Sequence, residues 1–192
     1  MSKKESIIHF VDTETTGLDW RRHEIISVGV VIARERELEM ELLDEFEVKI
    51  KPEHLDIADP IAFKINKYTS EAWQDGVSKK EAGNVLWQKL YTPAEGNYGA
   101  IINGVVVGGH NVHFDLLFIA KLFADSDKTF YPRHLIDTYM LSKRLFKRNN
   151  ISLDSYALGS LCNYFDIENK NAHTALADAR ASFKLYKRLL TM

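Results

Sequence analysis

Residues 7–18 read Ile-Ile-His-Phe-Val-Asp-Thr-Glu-Thr-Thr-Gly-Leu, and this stretch decides the architecture. Ile7, Ile8, Phe10 and Val11 form an apolar run that reads as a buried strand, and it ends on two carboxylates, Asp12 and Glu14. Residues i and i+2 of a strand share a face, so the two acids project together with Thr13 on the other side, and Gly17 permits a sharp turn. Two acids side by side at the end of a buried strand repel each other and lose solvation unless cations neutralise them. Oxygen ligands so placed suit Mg²⁺ or Mn²⁺.

Outward from this strand, Glu24–Ala33 is a second, nearly continuous β-branched run, and residues 41–50 partly alternate as a third strand with one wet face would. The short charged link Arg34–Glu39 makes these two an antiparallel hairpin. Asp59-Pro60 then reads as an N-cap and first position of a short helix to about Lys67. Ser78-x-x-Glu81 is a capping box for a helix turning Ala82, Val85, Leu86 and Leu90 inward. Asn103-Gly104 between apolar runs signals an extra hairpin near residues 99–107, leading into a fourth strand, Val105–Gly109. A buried helix over 116–123, a short strand over 134–138 and helices over about 138–148, 153–164 and 174–190 complete the chain. Strands that begin as a meander and then alternate with helices define an α/β domain with a mixed sheet.

Composition narrows the class. A chain of 192 residues with 45% apolar and 27% charged residues has the balance and length of one globular domain. No apolar run approaches the roughly 18–20 residues of a membrane span, and the N-terminus lacks the apolar stretch of a signal peptide. A single cysteine, Cys162, excludes an intrachain disulfide, agrees with a reducing cytoplasm and sits in an apolar pattern as a core thiol. The net charge of −2 does not advertise a nucleic-acid binder, yet basic residues outnumber acidic ones from residue 121 onward. Lys143-Arg144 and Lys147-Arg148 concentrate charge on one segment, either as a solvated helix face or as a phosphate track.

Further acids recur at sheet-edge or helix-start positions: Asp115, and Asp178 with His173 five residues before it. Four converging carboxylates can hold two divalent cations about 3.5–4 Å apart, the arrangement that stabilises attacking and leaving oxygens in phosphoryl displacement. Imidazoles ionise near neutrality as a class, so a nearby histidine can take the proton of an attacking water.

Together, Asp12-Thr-Glu14-Thr-Thr-Gly-Leu18, His110-Asn-x-x-Phe-Asp115 and His173-x-x-x-x-Asp178-Ala-Arg resemble the DEDDh group of DnaQ-like 3′–5′ exonucleases. That family has a ribonuclease H-like fold and includes the ε proofreading subunit of bacterial DNA polymerase III. The resemblance spans residues 6–190 as one exonuclease domain and implies a five-stranded mixed sheet flanked by helices. The tyrosine subgroup would carry tyrosine at position 174, where this chain has Thr174, so the histidine subgroup is the better match.

Residue by residue, the resemblance implies that Asp12, Glu14, Asp115 and Asp178 bind two divalent cations, Mg²⁺ or Mn²⁺, and that His173 is the general base. It also implies a pocket for the terminal nucleotide formed by Thr15, Thr16, Gly17 and Leu18, with Asn111 and Phe114 lining it. Phe114 and Leu18 have a core role as the competing reading, and Asn111 a helix-capping one. Asp137 reads as the N-cap of the helix at 138, and Trp20, Trp73 and Trp87 as core.

The resulting expectation is a cytoplasmic exonuclease releasing nucleoside 5′-monophosphates from 3′ ends, DNA favoured over RNA. The alternatives are an exoribonuclease of ribonuclease T or oligoribonuclease type and an inactive binding module. The ε subunit grips its polymerase through a further tail; nothing after Met192 corresponds to it, so a free-standing nuclease is expected. Oligomeric state is not encoded in any of these signals.

Overall fold

The computed structural model describes residues 5–91, 105–130 and 132–192. In chain order these form β1 (Glu5–Thr15), β2 (Ile25–Arg36), β3 (Glu39–Lys49), a 3-10 turn (Leu55–Ile57), α1 (Pro60–Asn66) and α2 (Lys79–Tyr91). There follow β4 (Val105–Gly109), α3 (His113–Ala124), β5 (Pro132–Asp137), α4 (Thr138–Arg148), α5 (Leu158–Tyr164) and α6 (Ala175–Leu189). The sheet is mixed and five-stranded in the order β3-β2-β1-β4-β5. β1, β2 and β3 are antiparallel neighbours, whereas β4 runs parallel to both β1 and β5.

Alternation along the strands divides the interior into two layers. Val11 on β1, Val28 and Val30 on β2, and Val105 and Val107 on β4 face α2 and α3, where Leu86, Phe118, Ile119 and Leu122 close the layer. Ile8, Phe10, Val31, Ala33 and Val106 face the other way and meet Ala179 and Tyr186 of α6. Being covered on both sides, the central strands are apolar at most positions, His9 on β1 and Ser27 on β2 being buried polar exceptions, which is why β1 and β2 read as nearly continuous apolar runs. A third cluster, Phe146, Leu161, Cys162, Ile167, Leu185 and Leu189, joins α4, α5 and α6. Cys162 is thus a core thiol, as its pattern suggested. Trp73 is buried, while Trp20 and Trp87 are half-buried at the edge of the α2/α3 layer.

Several boundaries differ from the sequence expectation for identifiable reasons. The helix expected over 153–164 begins only at Leu158. Ser155 accepts the N–H of Ala157 at 3.2 Å, a local bond that competes with helix, while Ile151, Leu153 and Tyr156 pack as loop residues against the third cluster. α3 begins at His113 rather than Leu116, which places Asp115 in its first turn. On α2, Val85 is 37% exposed rather than core, and Gly83 and Tyr91 turn inward with Ala82, Leu86 and Leu90. Ser78 accepts the N–H of Glu81 at 3.3 Å and Asp59 that of Ile61 at 2.8 Å, as both capping signals required. The hairpin expected near 99–107 lies outside the described residues up to position 104; Val105–Val107 belong to β4.

Candidate active site

The site is built where β1 outruns its parallel neighbour. β4 pairs with β1 only as far as Phe10↔Gly108, but β1 continues to Thr15 beside β2. Asp12 and Glu14, two apart, share the face covered by α6, and the register of β1 against β2 breaks immediately after Glu14. A bulge at that point is a common way to end a strand beside a site.

Asp178 comes to these two acids from the first turn of α6. Oxygen atoms of Asp12, Glu14 and Asp178 all lie within 4.8 Å of one another. That approach depends on Gly29, which stands directly across from Asp12 on β2. A Cβ at Gly29 would lie 2.2 Å from the carbonyl carbon of Ala175 and 2.3 Å from the nitrogen of Leu176. Only a residue without a side chain lets the start of α6 rest on the sheet there. Gly29→Ala is accordingly expected to lift the first turn of α6, destabilise the protein by about 1–3 kcal/mol and lower kcat about 100-fold. Thermal melts and steady-state kinetics check this; wild-type kcat would refute the packing account.

Asp115 enters from the opposite layer. It is 4% exposed, and its Oδ1 accepts both the backbone N–H of Thr13, at 2.9 Å, and the Thr13 hydroxyl, at 2.7 Å. Thr13, which alternation assigns to the far face, is therefore the residue that fixes Asp115 at the edge of the cluster. The sequence placed Thr13 inside the first motif, but no sequence signal singled it out as the partner of Asp115. Nor did any single out Asn169, whose side-chain N–H donates to Asp178 Oδ1 at 2.7 Å. The other oxygen of Asp178 accepts the backbone N–H of His173 at 3.0 Å. His173 is exposed and sits at φ +67°, a left-handed conformation uncommon for histidine, with its backbone anchored at the cluster's rim.

The electrostatics are those of unneutralised acids. Burial, reinforced by Asp115, Asp178 and Glu14, holds the Asp12 carboxyl well above the usual carboxylate range. Burial, then Asp178, Asp115 and Glu47, pushes Glu14 up to about 7. Asp115 is likewise raised to about 7 by burial, against the lowering effect of the two Thr13 bonds. Among the described residues, no lysine or arginine forms an ion pair with any of the four acids. A second acidic group, Glu24, Glu53 and His54, shows the contrast. There Lys79 pairs with Glu24 and Glu53, and Glu24 also accepts the N–H groups of Glu53 and His54 at 2.8 Å each. Burial raises the Glu24 pKa, but these partners outweigh it and the net shift is downward. Hard oxygen donors, close together and without a paired lysine or arginine among the described residues, fit a divalent metal ion at Asp12, Glu14 and Asp178.

Thr15, Thr16 and Gly17 are buried, and their polar groups serve the loop itself. The Thr15 hydroxyl donates to Gly17 O at 2.8 Å, and Asn66 donates to Thr15 O at 3.0 Å. The Thr16 N–H donates to Glu24 O, and its hydroxyl accepts the Glu24 N–H. Gly17 lies so close to the His23 ring that a Cβ would come within 2.5 Å of it. This pinned loop presents Leu18, which at 79% exposure is no core residue. Phe114 is half-buried, 5.0 Å from Phe118 between ring centroids, and packs against the α2/α3 layer. Asn111 does not cap α3, whose N-cap is Val112 without a side-chain bond. Instead Asn111 adopts φ +59° and donates its N–H to Asp137 at 3.0 Å. Asp137 also accepts the N–H of Tyr139 and Met140, capping α4 as expected. His110, half-buried, lies 3.0 Å from the Thr138 hydroxyl and packs edge-on against Tyr139.

Fold and acids together describe a mixed α/β scaffold with a carboxylate cluster at the end of its central strand. Residues 9–186 match the RNase_T family model, described as Exonuclease, and the chain belongs to that family. It is 32% identical over 177 residues to the 3′–5′ exonuclease DinG of Staphylococcus aureus (strain bovine RF122 / ET3-1), covering 91% of this chain and 17% of that protein. It is 27% identical over 179 residues to the PolC-type DNA polymerase III of Caldanaerobacter subterraneus subsp. tengcongensis, covering 93% of this chain and 11% of the other. The chain thus spans less than a fifth of the length of these curated relatives. Among solved structures, E. coli exonuclease I in complex with a dA16 oligonucleotide superposes with a TM-score of 0.76 at 20% identity, covering 97% of this chain and 42% of that one. The zinc-bound form of its single-stranded DNA complex gives the same TM-score at 19% identity, covering 97% of this chain and 42% of that one. The fold is the ribonuclease H-like fold of those exonucleases.

Proposed function

We propose that residues 6–190 act as a single 3′–5′ exonuclease domain of the DEDDh type, hydrolysing the terminal phosphodiester of single-stranded or frayed DNA and releasing nucleoside 5′-monophosphates. The observation that carries this reading is the grouping of Asp12, Glu14 and Asp178 within 4.8 Å, with Asp115 at its edge and no lysine or arginine paired to it among the described residues. Asp12, Glu14, Asp115 and Asp178 would hold two divalent cations, Mg²⁺ or Mn²⁺, which when bound supply charge stabilisation for the attacking and leaving oxygens. His173, exposed at the rim, accepts the proton of the attacking water. Leu18 stands proud of its braced loop and would form an apolar wall for the terminal base, and Phe114 and Asn111 would line the same pocket. A wall that packs against one strand end reads stacking and shape rather than sequence. The preference for DNA draws support from the relatives, a 3′–5′ exonuclease and a DNA polymerase, and from the dA16 oligonucleotide bound to exonuclease I.

The test is degradation of 5′-labelled single-stranded DNA and RNA of one sequence with Mg²⁺, Mn²⁺ or EDTA. The expected result is a DNA ladder shortening from the 3′ end that EDTA suppresses. Faster shortening of RNA would replace DNA by RNA in this reading. Intact substrates under every condition would refute it.

A further inference from the structure

We propose that the exposed face of α4 is a backbone track for single-stranded DNA, holding phosphates upstream of the 3′ end; this rests on the exonuclease reading above. α4 is seated through Thr138, Ser142 and Phe146, four residues apart and buried. Helical periodicity therefore turns Lys143, Arg144, Lys147 and Arg148 to the outer half, where all four are exposed. The helix contains no acid. Among the described residues none of the four makes an ion pair, whereas Arg34, Lys79, Lys89 and Arg180 each find a carboxylate. The helix dipole accounts for Lys147 and Arg148 in the last turn, but not for Lys143 and Arg144 a turn earlier. Four neighbouring like charges repel one another, and a polyanion relieves that repulsion.

The track begins at the site. Asp137 caps α4 and holds Asn111 of the loop that delivers Asp115, His110 packs on Tyr139, and Lys143 Nζ lies 5.1 Å from the Tyr139 ring centroid. From Thr138 to Arg148 the helix advances about 15 Å. That length matches about four phosphates of a stacked strand at about 3.4 Å each, one for each basic side chain.

Binding of 5′-fluorescein-labelled dT15 would be measured by anisotropy in EDTA from 50 to 200 mM salt. The combined variant K143Q/R144Q/K147Q/R148Q is expected to bind about 30-fold more weakly at 50 mM salt, with the slope of log K against log salt reduced by about 2–3. In turnover, the KM advantage of dT15 over a trinucleotide should collapse. A control variant, K187Q/R188Q, removes two charges from the last turn of α6, far from Asp178 along that helix, and is expected to bind as wild type does. Equal affinity of wild type and the quadruple variant would overturn the track, as would an equal loss in the control. Should wild type shorten no oligonucleotide yet bind dT15 more tightly than the quadruple variant, the track stands and the exonuclease reading falls.

Discussion

Asp12→Asn is expected to lower kcat at least about 10³-fold while raising the melting temperature of the metal-free protein. Asparagine keeps the shape of the side chain but removes one charge from a cluster that pairs with no lysine or arginine among the described residues. Asp12, Glu14 and Asp115 all have folded-state pKa values above their ordinary ones, the last two at about 7. Groups shifted in that direction leave stability intact below the ordinary carboxylate range and remove it as pH rises through about 7. The metal-free protein should therefore weaken between about pH 4.5 and 7.5, and Mn²⁺ or Mg²⁺ should restore what is lost.

His9 opposes this trend. It is buried, its Nδ1 has no hydrogen-bond partner among the described residues, and burial lowers its pKa to about 4. It removes stability as pH falls from its ordinary 6.5 towards about 4. That contribution is present with and without metal, so it cancels in the difference between Mn²⁺-saturated and EDTA-treated samples. The difference in melting temperature should grow with pH in wild type and be smaller in Asp12→Asn. In EDTA at pH 7.5 the variant should melt about 3–6 °C higher, corresponding to about 1–2 kcal/mol. A variant that melts lower in EDTA, or retains activity within tenfold, would remove Asp12 from its proposed role.

Replacing His173 should reduce kcat by about 10²–10³-fold without changing the stabilisation by metal. Position 173 has a left-handed backbone, so alanine there combines loss of the imidazole with strain. His173→Asn separates the two, because asparagine tolerates that conformation. Both variants should lose kcat alike, and added imidazole should restore part of it. The carboxylates remain in both, so the Mn²⁺-dependent rise in melting temperature should persist. Full activity in His173→Asn would show that the imidazole moves no proton, and a lost response to Mn²⁺ would show that the residue acts through Asp178, to which its N–H is bonded.

The family match and the sheet leave little doubtful about the architecture, and the reasons lie in particular residues. β1 and β2 were legible because strands buried on both faces favour apolar side chains at nearly every position, and Asp59, Ser78 and Asp137 marked helix starts through local bonds they do form. The start of α5 was misread because the Ser155 bond and the packing of Tyr156 lie outside what helical spacing reports. Leu18 and Phe114 could not be told apart as core or surface by composition; the braced loop exposes one, and the α2/α3 layer half-covers the other.

By itself, the sequence determined that Asp12 and Glu14 share a face, because strand alternation is a property of the local backbone. It likewise set the order of the three motifs and the helix-start positions of Asp115 and Asp178. Tertiary structure alone decided how the acids meet. The bare backbone of Gly29 admits the start of α6, Thr13 takes Asp115 across the strand end, and Asn169 and the left-handed His173 grip Asp178. The Thr13 and Gly29 contacts join residues distant in the chain or turn on a side chain that is absent, and the two to Asp178 come from the irregular segment that precedes α6. Such contacts depend on how the layers pack, and no periodicity within one segment carries that information.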